Sequence, residues 1–346
     1  MSGKPLRTIS LGNIQKQVAT LKTAESFFDS VLLFALFELG AFKALASGAK
    51  STHELHEHIG GDVETLRATL DAAVALKVLS KQDDRYTAEE GLIDCLGREE
   101  SPAYLGEWVA FVHALAGPLL RLGEATRTGI RPGALFEDMS GDREPAKLMT
   151  RAMDAYARTR GIEIADRIDF SRTRRLLDLG CGPGTYSLAI IDRHPQIRAT
   201  LLDLPGPITE ARRIVAERGM TDRVEFVASD GMNYVPDEPF DTLLISNTLH
   251  MLGPEASIGM LRRCYELVSA GGQILVQAQY LNDDRTSPRW ATLLNLIQRI
   301  ATPHGRNHAI GETSEWLTEA GFKNVKHIRF SSWNVCSCLT GEKPAD

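Results

Sequence analysis

The sequence predicts an α/β protein, with a helix-covered parallel sheet in its C-terminal half behind a mostly helical N-terminal part. Three observations carry that expectation. From residue 174 short apolar runs alternate with amphipathic stretches, the pattern of strands and helices in a parallel sheet covered on both faces. Ahead of it, three helical patterns and a short hairpin follow one another, which is a winged-helix arrangement. Between the two lies a long stretch of helical texture. With 346 residues, 43% hydrophobic and 24% charged, the chain has ordinary globular composition and length for about two domains.

Taken in order, residues 24–46 carry apolar side chains at helical spacing and end at a corner around Gly40. STHELHEHIG (51–60) has Ser51 or Thr52 to cap a short helix and Gly60 to end it. DVETLRATLDAAVALKVL (62–79) repeats the pattern, with Asp62 as cap and leucines at 66, 70 and 76. VLSKQDDRYTA then offers two short β segments around Asp83-Asp84. Residues 103–165 read as helix, broken by Gly129, Pro132 and Gly133. Strands are expected at 175–179, 197–203, 223–228, 241–246 and 272–279, then at 326–330 and 334–339. Helices 207–219 and 256–272 lie between them, and domain divisions are expected after residues 100 and 170.

Charge and composition exclude several function classes. The net charge is −6, so nothing in the balance calls for nucleic acid or an anionic membrane. The helix that would enter a DNA groove carries Asp62, Glu64 and Asp71 against Arg67, where phosphate contacts need a basic face. No DNA partner is therefore expected; a cofactor sensor fused to a winged helix is the competing class. The N-terminus lacks the apolar core of a signal peptide. The most apolar run, 30–45, is too short to span a bilayer and contains Glu38, so no membrane partner is expected. Five scattered cysteines in an acidic chain point to a reduced, cytoplasmic protein.

The chemistry begins at LLDLGCGPGTYSLAI (176–190), where a strand runs into three glycines at every second position. Ligands of open parallel sheets sit at the carboxyl ends of strands, so the loop is placed for a nucleotide-like cofactor. A phosphate-binding P-loop fails, because no lysine follows Gly184. The dinucleotide fingerprint fails too, since its last glycine would fall on Thr185 or Ser187. S-adenosylmethionine remains, with no diphosphate to cradle but backbone that must pass close. Asp203 ends the second strand, where one carboxylate can accept both ribose hydroxyls. Asp230, in VEFVASDGM, ends the third and can accept from the adenine amino group.

LLDLGCGPG, LLDLPG, SDGM, FDTLLISNTLHML, SAGGQILV and WLTEAGF, in this order, resemble the class I S-adenosylmethionine-dependent methyltransferases. With the winged-helix-like front, the chain is similar to the small-molecule O-methyltransferases of the plant caffeate and acetylserotonin type and their bacterial relatives, over about residues 25–340. The resemblance implies a Rossmann-like seven-stranded sheet whose last strand is antiparallel. It makes 1–100 a dimerisation domain, 101–170 a connector lining the substrate pocket, and 171–346 the cofactor-binding domain of a homodimer. By the same resemblance Gly180, Gly182 and Gly184 line the cofactor, and Asp203 with Leu204 takes the ribose. Asp230, Gly231 and Met232 frame the adenine, and Ser246 and Asn247 continue the contacts.

Methyl transfer to a phenol or enol needs a proton acceptor, and imidazole suits that near neutral pH. His250, in NTLHML, matches the family's catalytic histidine in Leu-His-Asp-Trp, although Met251 and Leu252 replace the Asp and Trp. The two glutamates that orient the plant histidine fall, by counting, on Ala278 and near Asn307. Something else must then set the tautomer of His250, with Gln277, Gln279 and Asn307 as candidates. The missing carboxylates leave C-methylation of an acidic carbon and a non-methylating relative as alternatives. Metal assistance through His250, His304 and His308 is a further one, though Met251 stands where a ligand Asp would be, and no metal is expected.

HELHEH (53–58) misses the H-E-x-x-H zinc pattern at Glu57 and reads as the solvated side of a short helix. Cys336-Ser337-Cys338 is expected on an edge strand with no role. Trp108, Phe111, Met149, Met153, Tyr156 and Trp290 are the candidate walls for a flat, mostly apolar acceptor. The expected activity is methyl transfer to a small aromatic or enolic metabolite, with O-methylation favoured.

Overall fold

Ser10 opens the first helix by accepting the Asn13 amide on its hydroxyl, and α1 runs from Leu11 to Glu38. It starts well before the expected residue 24 and stops where Gly40 takes a φ of 69°, so the corner splits the segment into α1 and α2 (Ala41–Leu45). The computed structural model describes residues 10–131 and 144–345; Pro132 and Gly133, expected as helix breakers, lie outside the described residues. The chain divides at Val109/Ala110 into two units.

In the first unit β1 (Lys50–Ser51) leads into α3 (Thr52–Ile59), which Ser51 and Glu54 close with a capping box. HELHEH lies on this helix with Leu55 buried and His53 exposed beside Glu57. Asp62 caps α4 (Val63–Ala75), which ends short of residue 79 because Lys77 turns into positive φ. β2 (Ser80–Gln82) and β3 (Arg85–Thr87) form the hairpin, and β1 pairs with β3 to make a three-stranded sheet of order β1-β3-β2. α5 (Glu90–Leu96) completes the unit. Its core gathers Leu36, Phe42, Leu55, Leu66, Leu70 and Tyr86.

α6 (Gly106–Leu120) carries the chain past the division, followed by α7 (Leu122–Thr128), α8 (Glu144–Arg167) and β4 (Arg175–Leu179). Then come α9 (Thr185–Arg193), β5 (Arg198–Asp203), α10 (Pro205–Glu217), β6 (Val224–Ala228) and β7 (Phe240–Ser246). α11 (Pro254–Leu267), β8 (Val268–Ala278), α12 (Arg289–Ala301), α13 (Ile310–Glu319), β9 (Lys323–Arg329) and β10 (Ser337–Glu342) finish the chain. The seven strands order as β6-β5-β4-β7-β8-β10-β9, with β10 antiparallel to both neighbours and β4 to β8 mutually parallel with β6. The seven-stranded sheet with an antiparallel last strand is therefore present. β10 lies between β8 and β9, so Cys336-Ser337-Cys338 does not sit on an edge strand, and both thiols are buried.

Alternation along the strands explains the two layers. Leu176, Leu201, Leu244 and Leu275 face the α8–α10 side with Ile164, Leu188 and Ile214, while Leu177, Leu202, Leu243 and Ile274 face the α11 and α13 side with Leu261 and Leu317. The strand order reverses at β4, whose neighbours are β5 and β7, and that switch point is where the glycine loop leaves the sheet.

Candidate active site

The loop Gly180–Gly184 joins β4 to α9, and all three glycines hold positive φ, 71°, 52° and 76°. They differ in surroundings. A Cβ at Gly180 would meet Thr248 at 2.7 Å and one at Gly184 would meet Leu201 at 2.5 Å, while Gly182 faces open space. The loop is tied to the next strand, because the Gly180 amide donates to the Leu202 carbonyl at 2.8 Å and the Gly182 amide to Asp203 Oδ2 at 2.7 Å. Asp203 Oδ1 accepts from the Leu204 amide at 2.7 Å, and burial raises this carboxyl above its usual range. Beneath the loop Asp178 is fully buried. Its Oδ2 accepts from Ser187 at 2.7 Å, and burial, against that bond and helped by Asp203, pushes the carboxyl up to about 7.

The end of β7 completes this edge. Ser246 Oγ and Asn247 Nδ2 both donate to Gln277 Oε1, at 2.5 and 2.9 Å, and Asn247 sits at φ 52°. Thr248 Oγ1 donates to the Gly180 carbonyl at 3.2 Å, linking the β7 end to the loop. Asp230 is exposed; its carboxylate accepts from the Met232 amide and the Asn233 side chain, and so closes the turn that holds Gly231 and Met232.

His250 lies in a short 3₁₀ turn, Leu249–Met251, just beyond β7. Its carbonyl accepts the Arg306 amide at 2.9 Å, which brings the 302–308 segment against it. The residue as a whole is partly exposed, but its Nδ1 is buried with no hydrogen-bond partner among the described residues. Burial, and then neighbouring His308, push the imidazole down from 6.5 to about 4. A small cavity of about 10 Å³ beside it is lined by His250, Ala278, Gln279, Asn307 and His308, among others, so both counted glutamate positions reach this place without a carboxylate. Gln277 does not line it. His308 Nε2 donates to the Leu249 carbonyl at 3.0 Å, and His304 is exposed. Among the described residues no group of three or more His, Cys, Asp or Glu could hold a metal ion, so the three histidines do not gather as the metal-assisted alternative requires.

The candidate pocket walls scatter more. Tyr156 on α8 is buried and receives the Gln279 amide at 2.9 Å, and Trp290 on α12 carries a buried Nε1 with no partner among the described residues. Phe111 is buried, Met149 and Met153 are partly exposed on α8, and Trp108 is partly exposed in the first unit. Sequence reasoning missed Tyr186, Thr248 and Asp154. Asp154, buried on α8, accepts from Thr185 Oγ1 at 2.5 Å and from Arg158 and Arg218, and holds α8, α9 and α10 together at the loop. No short motif marks it; only the charge of a residue at an apolar helix position could have.

The donor set fits an amino-acid-bearing nucleoside. Asp178 Oδ1 and Asn247 Oδ1 are buried acceptors without partners among the described residues, suited to an ammonium group, and Gly182 leaves its side of the loop open. An open parallel sheet with one antiparallel strand, a non-dinucleotide glycine loop at its switch point and an acid ending the next strand define an S-adenosylmethionine-dependent methyltransferase. The chain belongs to the O-methyltransferase domain family, whose model matches residues 122–323, and residues 21–92 match the O-methyltransferase dimerisation domain. It is similar to the 3-hydroxy-5-methyl-1-naphthoate 3-O-methyltransferase of Streptomyces sahachiroi, 27% identical over 92% of this chain and 93% of that one. It is also similar to the tetracenomycin polyketide synthesis 8-O-methyl transferase TcmO of Streptomyces glaucescens, 29% identical over 94% and 96%. The fold matches human N-acetylserotonin methyltransferase in complex with S-adenosylmethionine, with a TM-score of 0.83 at 20% identity over 97% and 100% of the two chains. The protein is an enzyme that uses S-adenosylmethionine as its methyl donor.

Proposed function

We propose that this enzyme methylates a hydroxyl of a small, flat aromatic or enolic metabolite, with His250 taking the hydroxyl proton. The observation that carries the reading is the joining of two features at one sheet edge. The glycine loop leaves β4, His250 follows neighbouring β7, and Thr248 bonds one to the other. When bound, S-adenosylmethionine supplies a methyl carbon already activated on a sulfonium. The chain then has to contribute alignment, a dry site and a proton acceptor. Gly180, Gly182 and Gly184 would hold the methionine end, with Asp178 and Asn247 toward its ammonium. Asp203 and Leu204 would take the ribose, Asp230, Gly231 and Met232 the adenine, and Ser246 would steady Asn247 through Gln277.

An imidazole held near 4 is neutral at pH 7 and accepts protons weakly, so the acceptor hydroxyl suits this site best when it is acidic, as in a phenol conjugated to a carbonyl or an enol. The naphthoate and tetracenomycin relatives support an aromatic acceptor. Phe111, Met149, Met153 and Tyr156 would supply apolar walls, and the unpartnered Trp290 Nε1 a donor. Titration calorimetry with S-adenosylhomocysteine tests the base of the reading: one site per chain is expected, and no heat would end it. His250→Ala should then lower turnover about 100-fold or more while leaving that affinity unchanged; near-normal turnover would remove His250 from the reaction.

The working unit in this reading is a homodimer formed through the first unit. α1 exposes Leu11, Ile14, Val18, Leu21, Phe28 and Val31, an apolar row within the matched dimerisation region and its lead-in. No helix among the described residues is long and apolar enough to cross a membrane. All five cysteines are free thiols, which supports work in a reducing compartment such as the cytoplasm. DNA binding has no support, since Arg67 and Lys81 are already paired with Asp84 and Asp71. A gel-shift assay at moderate salt should show no shift.

A further inference from the structure

We propose that a single buried water beneath His250, held by Gln279 and Asn307, keeps the imidazole proton on Nδ1 and leaves Nε2 free to accept a proton. This deepens the reading above and rests on His250 being the base.

Three side chains around the cavity carry a buried polar atom without a partner among the described residues: His250 Nδ1, Gln279 Oε1 and Asn307 Oδ1. Gln279, Asn307 and His308 are all more than nine-tenths buried. Unpaired buried polar atoms are costly, and three at one cavity call for a common partner. The cavity, about 10 Å³, has the size of one water.

The hydrogen-bond roles of these atoms follow from their other ends. Asn307 Nδ2 donates to the carbonyls of Gln279 and Ala291, at 2.9 and 3.0 Å, so Oδ1 is the oxygen left over. Gln279 Nε2 donates to Tyr156, which leaves its Oε1. His308 Nε2 faces the Leu249 carbonyl and its Nδ1 lies 3.9 Å from Glu312 Oε2, so this ring takes no part. Two of the three atoms can therefore only accept. The remaining one, His250 Nδ1, is the sole ring atom there able to donate, and none of the acceptors reaches it directly. One water resolves the set. It accepts from His250 Nδ1–H and donates its two protons to Gln279 Oε1 and Asn307 Oδ1, within the two to four bonds of a buried water. Gln277, the other amide nearby, is already spent on Ser246, Asn247 and Tyr186 and takes no part.

Gln279 and Asn307 are thus positioning residues acting through the water. A neutral support orients the ring without the charge a carboxylate would lend it, which matches a base suited to acidic hydroxyls. The experiment is long-range ¹H–¹⁵N correlation on protein labelled with ¹⁵N-histidine, with His250→Gln to identify the His250 signals, together with a high-resolution crystal structure of the full chain. The expected spectrum at pH 7 is that of a neutral imidazole protonated on Nδ1, and density for one water should lie within hydrogen-bond reach of Nδ1. Gln279→Glu should raise the His250 titration midpoint by about one pH unit or more, since a charge is placed across the water. Gln279→Leu should shift signal toward the Nε2-protonated tautomer while S-adenosylhomocysteine still binds. An Nε2-protonated wild type, a dry cavity or an unmoved midpoint in Gln279→Glu would overturn the inference. Those results would leave the functional reading intact, which falls instead on loss of cofactor binding or on an active His250→Ala.

Discussion

Gly182 and Gly184 stand two residues apart with the same sign of φ, yet they answer to different demands. Gly184 packs against Leu201, so a methyl group there meets both backbone strain and a filled core. Gly184→Ala should destabilise the fold by about 2 kcal/mol in urea denaturation. Gly182 has open space on its Cβ side, so Gly182→Ala should cost about 1 kcal/mol, from φ alone, yet weaken S-adenosylhomocysteine binding by more than its neighbour does. Asp203 sits between these effects. It braces the loop through the Gly182 amide and is the proposed ribose acceptor, so Asp203→Ala should lower cofactor affinity about 10-fold or more, read by calorimetry. The glycine spacing and Asp203 were legible as a pattern because backbone conformation and a strand-end acid leave local signatures. Asp230 was legible only in part: its carboxylate caps its own turn, which any aspartate in a loop tends to do.

At the scale of elements, Asp154 shows what local pattern cannot convey. It is a buried acid in the middle of α8, joined to Thr185 at the start of α9 and to Arg218 at the end of α10. Removing it leaves Arg158 and Arg218 without their buried partner, and Asp154→Ala should destabilise by about 3 kcal/mol in thermal or urea unfolding, with weakened cofactor binding. The strands of the parallel core were legible because they are apolar on both faces and bounded by turn residues. Element ends were less so. β8 begins at Val268 where the pattern favours a helix to 272, since cross-strand pairing with β7 captures residues whose own preference is weak.

For the whole molecule, two buried groups set opposite slopes of stability against pH. His250 titrates near 4 when folded against 6.5 ordinarily, so the unfolded chain binds a proton that the folded chain refuses. Its contribution is fully present above pH 6.5 and is lost as pH falls toward 4. Asp178 titrates near 7 when folded against 3.8, so the folded chain keeps a proton that the unfolded chain releases. Its contribution is fully present below 3.8 and is lost as pH rises through 7. Urea midpoints measured between pH 4 and 8 should therefore show a steeper acid limb in the wild type than in His250→Gln, and a shallower alkaline decline in Asp178→Asn. The apolar row on α1 gives a second prediction at this scale. Leu21→Glu with Phe28→Glu should convert the proposed dimer to monomer in light scattering, with the fold of the second unit unchanged.

The sequence by itself determined the parallel sheet, the glycine loop with its strand-end acid, and hence the methyl donor, because each depends on backbone geometry and residue type within a few positions. Only the tertiary structure decided what stands behind His250. Positions 250, 279 and 307 lie far apart in the chain and carry no shared periodicity. Whether an amide beside that cavity is left with its oxygen or its nitrogen unpaired depends on Tyr156 and Ala291, which are brought there by α8 and α12. The same holds for Cys338, which the order β8-β10-β9 places inside the sheet, because strand order is set by long-range pairing that no local stretch encodes.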